Sequence, residues 1–203
     1  MSTEYKNTSF LFLFTALASI AFVLTDLTNA VAIIILSVIV TLLTALIIGL
    51  LKSVLQDKFI VPATLVVSVG LAKMMQLLAQ AFVPTVNETL GLFVLMIAFV
   101  ALSLNAPALM GEKKGLGQIL LAGVRHLVPF ICIVLVVGLL CGLLGAGTVE
   151  LLDFTNSSAT YFSATVLPSS FIVAWFDTLS GGVVLLACVL AGYKACFVKE
   201  ETK

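Results

Sequence analysis

The sequence predicts an all-α, polytopic membrane protein with six transmembrane helices, and three observations support that fold class. Hydrophobic residues make up 62% of the 203 residues and charged residues only 10%, whereas soluble globular domains have roughly 45–50% apolar and about 25% charged residues. The mean hydropathy is +1.27. Apolar runs separated by short polar segments recur along the chain, and at ~20 residues per helix its length accommodates about six spans with short loops. A soluble protein is therefore excluded, and residues 1–203 are predicted to form a single transmembrane domain.

Charged and turn-forming residues mark the ends of the six apolar runs. The predicted spans are 9–24, 29–51, 59–83, 89–104, 115–146 and 167–193. The fifth run is too long for one span at ~1.5 Å of rise per residue. We expect Arg125 and His126 to extend their polar ends to the headgroups, so that 127–146 crosses the membrane and 115–124 lies at the interface. The stretch 148–166 has no apolar run long enough to cross and is predicted to be a surface loop.

The distribution of charge in the short loops predicts the orientation, because loops that carry Lys and Arg tend to remain in the cytoplasm. Outside the spans, basic residues occur only before the first span, in the second and fourth loops and after the sixth span: Lys6, Lys52, Lys58, Lys113, Lys114, Lys194, Lys199 and Lys203. The first, third and fifth loops carry the acidic residues Asp26, Glu88, Glu150 and Asp153. The sequence therefore predicts a multi-pass protein of the cell (inner) membrane with both termini cytoplasmic. The first run is expected to be retained as a helix, not cleaved as a signal peptide.

The first and fourth runs are only 16 residues long, near the lower limit for crossing a ~30 Å hydrocarbon core. They occupy equivalent positions in two halves, at about 7–84 and 85–197. Because each half has three spans, the halves must enter the membrane in opposite directions, as in inverted-topology repeats whose short or broken helices meet near the midplane. The pattern predicts two inverted three-helix halves with spans one and four at the functional centre.

Four polar residues inside the predicted spans form a candidate intramembrane site. Lys73 lies in the middle of the third span, and Gln76 and Gln80 follow it at helical spacing, so the three share one face. Asp177 lies about ten residues into the sixth span, at a depth similar to that of Lys73. An ionisable residue at this depth is costly unless it is paired or faces a cavity, so we expect a buried Lys73–Asp177 ion pair. The pair either fixes the register of two spans or belongs to an ion or proton path.

Patterns that carry enzymatic or metal chemistry are missing from the sequence. There is no paired-carboxylate motif, glycine-rich phosphate loop or Ser-His-Asp set, and the single histidine, His126, excludes haem ligation by two histidines of this chain. No catalytic residue, metal ligand or nucleic-acid partner is predicted. The four cysteines lie within or at the edge of apolar runs without a CxxC pair and are expected to pack as small apolar residues: Cys132, Cys141, Cys188 and Cys196.

Five local patterns, in order along nearly the whole chain, carry a family resemblance. They are LTNA at 27–30, LGLF at 90–93, GLG at 115–117, LLGAGT at 143–148 and LPSSF at 167–171. Together they resemble the membrane subunits of the Rnf and Na+-translocating NADH:quinone reductase complexes, most closely the Rnf E and Nqr D type. The resemblance implies a six-helix inverted repeat that pairs with a sister subunit of opposite orientation, within a complex that couples electron transfer to Na+ or H+ movement.

The resemblance also implies where this family would hold an iron–sulfur cluster. One cysteine in span one and one in span four join two from the sister subunit, since such clusters are held by thiolates. Counted from the matching motifs, these positions fall on Ala18 and Ala101. Alanine has no side-chain atom that can coordinate iron, so no cofactor is predicted for this chain.

Three functions remain open from the sequence. The first is a membrane subunit of an Rnf/Nqr-like electron-transport, ion-translocating complex without its own cluster, with a sister subunit and other complex subunits as partners. The second is a small inverted-repeat transporter of a solute or ion, using Lys73, Gln76, Gln80 and Asp177. The third is a non-catalytic membrane scaffold. In none of them is the chain more than a non-catalytic subunit of a redox-driven translocase, and fold-level analogy does not choose among them.

Overall fold

The computed structural model describes residues 3–52, 54–82, 91–109, 116–152, 160–166 and 174–197. Six α-helices account for most of these residues, which confirms the predicted all-α fold class. The helices are α1 (Thr3–Ile20), α2 (Leu27–Leu51), α3 (Asp57–Phe82), α4 (Ile97–Leu109), α5 (Leu116–Gly145) and α6 (Leu179–Phe197). Three 3-10 helices adjoin them: Ala21–Val23 follows α1, Gly91–Met96 leads into α4 and Ala174–Asp177 precedes α6.

The lengths of the helices agree with those of the apolar runs, except in the sixth segment. Three helices are long and apolar enough to cross a membrane, at Leu27–Leu51, Lys58–Phe82 and Leu116–Gly145. The first and fourth segments form shorter apolar helices, as predicted. The sixth segment is short as well, because its α-helix begins only at Leu179, although its apolar run starts at residue 167. Residues 167–173 lie outside the described part of the chain.

The start of α2 is fixed by the side chains before it. The Asp26 carboxylate accepts a hydrogen bond from the Asn29 backbone N–H at 2.7 Å, which satisfies one of the amides that a helix N-terminus leaves without an intrahelical partner. The Asn29 side chain donates to Thr25 Oγ1 at 3.1 Å. The turn between the first two spans is therefore defined by local polar contacts, although both flanking segments are apolar.

Residues 116–124 of the predicted interfacial segment 115–124 form the first part of one continuous helix, and residue 115 lies outside the described part of the chain. Helix α5 runs for 30 residues, or roughly 45 Å at 1.5 Å per residue. The leucines and the glutamine of this segment favour helix, and Pro129 is accommodated inside the helix. Arg125 is exposed and His126 half-buried, so a charged residue on the helix surface did not require a separate element.

The predicted surface loop at 148–166 contains a two-stranded sheet. Strand β1 (Thr148–Leu152) pairs antiparallel with β2 (Thr160–Thr165), with Thr148 opposite Thr165. The Thr28 hydroxyl donates to the Glu150 carbonyl oxygen at 3.3 Å, which ties the hairpin to the start of α2. β-Branched residues in both strands and aromatic residues in β2 favour this conformation. Because the strands are short, apolar content alone did not predict them.

Two apolar clusters form the core. The larger lies among α1, α2, α4, α5 and α6 and includes the fully buried Leu17, Ile20 and Phe130. The smaller lies among α2, α3 and α5 and is built from Ala45, Ile48, Ile60 and Ile119. Helices α2 and α5 pack along each other, as do α1 and α4. The two short helices predicted to meet at the centre are therefore in contact.

Glycine allows the last helix to approach the end of the first segment at backbone distance. A Cβ atom placed on Gly182 of α6 would lie 2.5 Å from the Leu24 carbonyl oxygen. On α5, a Cβ atom on Gly138 would lie 2.4 Å from the Ala30 Cβ atom of α2. Such small residues at helix contacts let membrane helices gain van der Waals packing where lipid supplies no hydrophobic driving force between them.

Candidate functional site

The contact between α1 and α4 concerns the two positions at which the resemblance implies cluster ligands, Ala18 and Ala101. Ala18 lies near the end of α1 with its side chain exposed, and Ala101 lies in the middle of α4, fully buried. Their neighbours Ala16 and Leu17 are also fully buried. Both positions carry a methyl group and no donor atom, so this part of the fold does not fit thiolate ligation of iron by these residues.

The cysteines lie elsewhere in the bundle. Cys141 is buried in α5, whereas Cys132 on α5 and Cys188 on α6 are exposed. The Cys196 side chain lies outside the described part of the structure. Within the described residues, no group of three or more His, Cys, Asp or Glu side chains comes together in a way that could hold a metal ion.

The predicted polar site on α3 is connected through a short chain of hydrogen bonds. Lys73 Nζ donates to Gln76 Oε1 at 2.9 Å, and Gln76 Nε2 donates to the Gly91 carbonyl oxygen at 3.1 Å. Gln76 is buried, whereas Lys73 and Gln80 are exposed. The predicted common face is therefore divided: Gln76 points to the protein and holds the start of the fourth segment, while Lys73 and Gln80 lie on the outer surface.

The predicted Lys73–Asp177 ion pair remains a prediction, because the Asp177 side chain lies outside the described part of the structure. The elements that carry the two residues have different neighbours. Helix α3 packs against α2, α4 and the 3-10 helix before α4, whereas the 3-10 helix that ends at Asp177 packs against α5 and α6.

The structure contains a set of four buried polar residues that was not predicted from the sequence. Four residues with no exposed surface carry side-chain oxygens that have no hydrogen-bond partner within the described residues: Ser37, Thr41, Thr44 and Asn105. We call these four residues the polar layer. The Asn105 side-chain amide donates to the Thr41 carbonyl oxygen at 3.0 Å, which joins α4 to α2. A Cβ atom on Gly123 would lie 3.2 Å from Asn105 Oδ1, so α5 borders the layer too.

Thr41, Thr44 and Asn105 of the polar layer lie between the two apolar clusters, whereas Ser37 lies beside the larger one. On α2 the larger cluster ends at Val40 and the smaller one begins at Ala45. On α4 the larger cluster ends at Leu104, one residue before Asn105. On α5 the gap lies between Ile119 and Leu127. Polar side chains from α2 and α4 therefore come together inside the bundle, and α5 packs against them at Gly123.

The composition of the layer limits what it can bind. All four groups are neutral oxygen donors, which suit water or a small monovalent cation. The layer has no carboxylate to neutralise a divalent ion. A buried polar group without a partner costs about 1–3 kcal/mol, and water bound inside a protein needs 2–4 polar partners. The layer thus has the chemistry of an internal hydration or cation site.

A sequence signal for the layer was present in α2. Ser37, Thr41 and Thr44 follow each other at i, i+4 and i+7 and therefore share one helical face. Isolated hydroxyls in an apolar run commonly bond to their own helix, as Thr64 does to the Ile60 carbonyl oxygen at 2.6 Å. Only the structure shows that these three make no such bond within the described residues, and that Asn105 bonds to the backbone of Thr41.

A separate pocket of about 150 Å³ opens where the start of α2, the end of α5 and β1 meet. Asp26, Thr28 and Glu150 line it together with apolar residues. Asp26 caps α2 and Thr28 bonds to the backbone of β1. These polar side chains hold the connection between the helices and the hairpin.

The long apolar helices, the paired short helices and the polar layer define the class: an all-α, polytopic membrane protein with a set of polar side chains buried inside the bundle. A comparison with protein families shows which one. The family model described as "Rnf-Nqr subunit, membrane protein" matches residues 1–178. The chain belongs to this family and is thereby a membrane subunit of an Rnf/Nqr-type, multi-subunit electron-transport complex. A search among curated proteins gives no match.

Proposed function

We propose that this chain is an Rnf/Nqr-type membrane subunit that holds no iron–sulfur cluster of its own and acts by binding its partner subunits. The observation that carries the proposal is the pair of residues at the family's ligand positions. Ala18 and Ala101 lie on the two short helices that pack together, where the resemblance places the cluster, and neither has a side-chain donor. The fold is retained while the chemistry of its centre is changed.

A sister membrane subunit is the partner that this proposal names. Contacts between helices support the inverted halves on which such pairing depends. If α1, α2 and α3 correspond to α4, α5 and α6, then α1–α4 and α2–α5 are contacts between equivalent helices, and both occur. Helix α3 packs on the 3-10 helix of the fourth segment, and α6 packs on the 3-10 helix of the first. The third helix of each half therefore packs on the 3-10 helix in the first segment of the other half.

Iron and acid-labile sulfide analysis tests the missing cluster. The chain is purified without oxygen, alone and together with its partner subunits, and both are quantified per mole of this chain. The proposal predicts no iron or sulfide bound by this chain. A matched Cys141→Ser/Cys188→Ser variant serves as control, because iron that disappears in this variant would be held by relocated cysteines. Stoichiometric iron and sulfide bound by this chain would overturn the proposal.

The polar layer favours a second candidate, a small transporter of an ion or solute. Neutral oxygens buried without a hydrogen-bond partner inside a membrane bundle could bind an ion or a polar solute that passes through it. Purified protein in liposomes should then take up its ion without any partner, and Asn105→Leu should reduce the rate because it removes a side-chain oxygen from the layer. Uptake that is equal in wild type and in this variant would count against the transporter.

A further inference from the structure

We propose that the exposed face of α3 centred on Lys73 is a docking site for a transmembrane helix of another subunit that carries an Asp or Glu side chain. The face consists of Val66, Gly70, Lys73, Leu77 and Gln80, and we call it the Lys73 face. All five residues are exposed. The proposal rests on membership of a multi-subunit complex but is independent of whether this chain holds a cluster.

The position of Lys73 along α3 places its charge far from both ends of the helix. Lys73 lies 16 residues after Asp57 and nine before Phe82, so at ~1.5 Å per residue it is about 24 Å from one end and about 14 Å from the other. A lysine side chain is too short to bring its ammonium group to the headgroups from that depth. An ammonium group in hydrocarbon is unstable unless it is paired or faces a polar cavity.

The hydrogen bonds of this chain leave the ammonium group incompletely satisfied. Lys73 Nζ has three N–H donors, and within the described residues it donates to Gln76 Oε1 alone. Gln76 is itself held by the Gly91 carbonyl oxygen, so it fixes the direction of Lys73 and supplies no charge. The side chain is thus oriented on the outer surface, and the described residues supply no carboxylate to it.

Helix α3 has more uncovered surface than the other two long helices. Only 28% of its apolar window is buried, compared with 50% for α2 and 39% for α5. The residues of the Lys73 face follow one another at alternating intervals of four and three positions. This is the spacing that a helix presents to a partner helix packed along it. The surface that remains open therefore has the periodicity of a helix–helix interface.

The residues beside Lys73 fit close approach of a second helix. A Cβ atom on Gly70 would meet nothing within 4 Å, so the helix backbone is accessible there. Gln80 adds an amide that can donate and accept, while Val66 and Leu77 add apolar surface. Small residues that admit a neighbouring backbone, together with polar residues that hydrogen-bond across the contact, are characteristic of membrane helix interfaces.

The positive charge of Lys73 determines which kind of helix can pack on this face. A carboxylate on the incoming helix would neutralise the ammonium group and accept the N–H donors that Gln76 leaves free. Lipid tails and a wholly apolar helix supply neither. Within this chain, the 3-10 helix that ends at Asp177 packs against α5 and α6, whereas α3 packs against α2 and α4. The partner is therefore a membrane helix with an Asp or Glu at the depth of Lys73, from a subunit other than this chain.

A membrane-permeant carbodiimide tests the contact in native membranes. Dicyclohexylcarbodiimide activates a carboxyl group, and the Lys73 amine then displaces dicyclohexylurea to form an amide bond between the two side chains. We expect mass spectrometry of the isolated chain to show Lys73 joined to an Asp or Glu in a transmembrane segment of another protein. Absence of this cross-link, or a cross-link to Asp177 of this protein from the same or a second copy, overturns the proposal.

Variants give a second readout with a matched control. Lys73→Met should lower the amount of that partner retained on purification by about tenfold or more, because removing one member of an interfacial charge pair leaves the other charge unpaired. Lys73→Arg keeps the positive charge and should retain the partner. Lys58→Met, an exposed lysine near the start of the same helix, should have no effect. Equal retention by Lys73→Met and Lys58→Met would contradict the proposal, whatever the iron content of the complex.

Discussion

The Ser and Thr hydroxyls of the polar layer differ in their hydrogen bonding from four other Ser and Thr hydroxyls in the helices. Thr15, Ser19, Thr64 and Ser68 each donate to a carbonyl oxygen three or four residues earlier in their own helix. Ser37, Thr41 and Thr44 make no such bond within the described residues. Because residue types and spacings are alike in both groups, the sequence could not separate them, and the helix contacts around Asn105 were needed to recognise the layer.

Replacing Asn105 tests the contribution of the layer to stability. Asn105→Ala removes the 3.0 Å bond to the Thr41 carbonyl oxygen and leaves a small cavity at a fully buried position. We expect the free energy of unfolding to fall by about 1–2 kcal/mol, since a net hydrogen bond is worth about 1 kcal/mol and the cavity adds to its loss. Denaturant unfolding in detergent micelles measures the change.

Ser103→Ala is the control for this variant, because Ser103 lies two residues earlier on α4, is also buried and is not part of the layer. It should change the free energy of unfolding by less than Asn105→Ala does. If the two variants were equally stable, Asn105 would not serve as the link between α2 and α4.

Among the secondary-structure elements, the long apolar helices were predicted from the sequence, whereas the β-hairpin and the start of α6 were not. The ends of α2 and α3 agree with the predicted spans to within two residues, because apolar length and flanking charge determine them. The hairpin and the late start of α6 depend on contacts distant in sequence, such as the bond from Thr28 to Glu150 and the approach of Gly182 to Leu24. No local pattern contains that information.

The approach of α6 to the end of the first segment gives a sharp prediction. In Gly182→Ala the added methyl carbon would lie 2.5 Å from the Leu24 carbonyl oxygen, a backbone atom that has no rotamer to change. The helices must separate, and we expect a loss of about 1–3 kcal/mol, as for other overpacked positions. The thermal midpoint of the purified protein should fall accordingly.

Gly192→Ala on the same helix isolates the steric effect from helix propensity. A Cβ atom there meets nothing within 4 Å, and alanine favours helix over glycine by up to ~1 kcal/mol. This variant should be as stable as the wild type or more so. A similar loss in both variants would show that close packing at Gly182 is not the cause.

For the whole molecule, composition was enough to predict a helical membrane protein, and the order of local motifs was enough to indicate the family that matches residues 1–178. The candidate site was less predictable. Ala18, Ala101 and Lys73 were identified from the sequence. The packing of α3 determines that Lys73 lies on the outer surface and Gln76 inside, and this could not be predicted. The polar layer could not be predicted either, because it depends on contacts between helices.

The orientation proposed from the loops, with both termini cytoplasmic, can be tested on intact cells. Lys113 and Lys114 lie in the predicted fourth loop, which the proposal places in the cytoplasm. A membrane-impermeant amine reagent should label them only after the cells are opened. A thiol reagent of the same kind should reach Glu150→Cys in intact cells, since Glu150 is exposed and lies in the fifth connection. Labelling of Lys113 or Lys114 from outside would reverse the orientation.

Isolation of the chain from its native membranes in a mild detergent tests the central claim most directly. If the chain is a cluster-less membrane subunit of an Rnf/Nqr-type complex, a sister membrane subunit of that family should co-purify with it in fixed stoichiometry, together with further subunits of the complex. A chain that elutes without any such subunit, and that by itself carries out rapid solute or ion uptake in liposomes, would contradict the account.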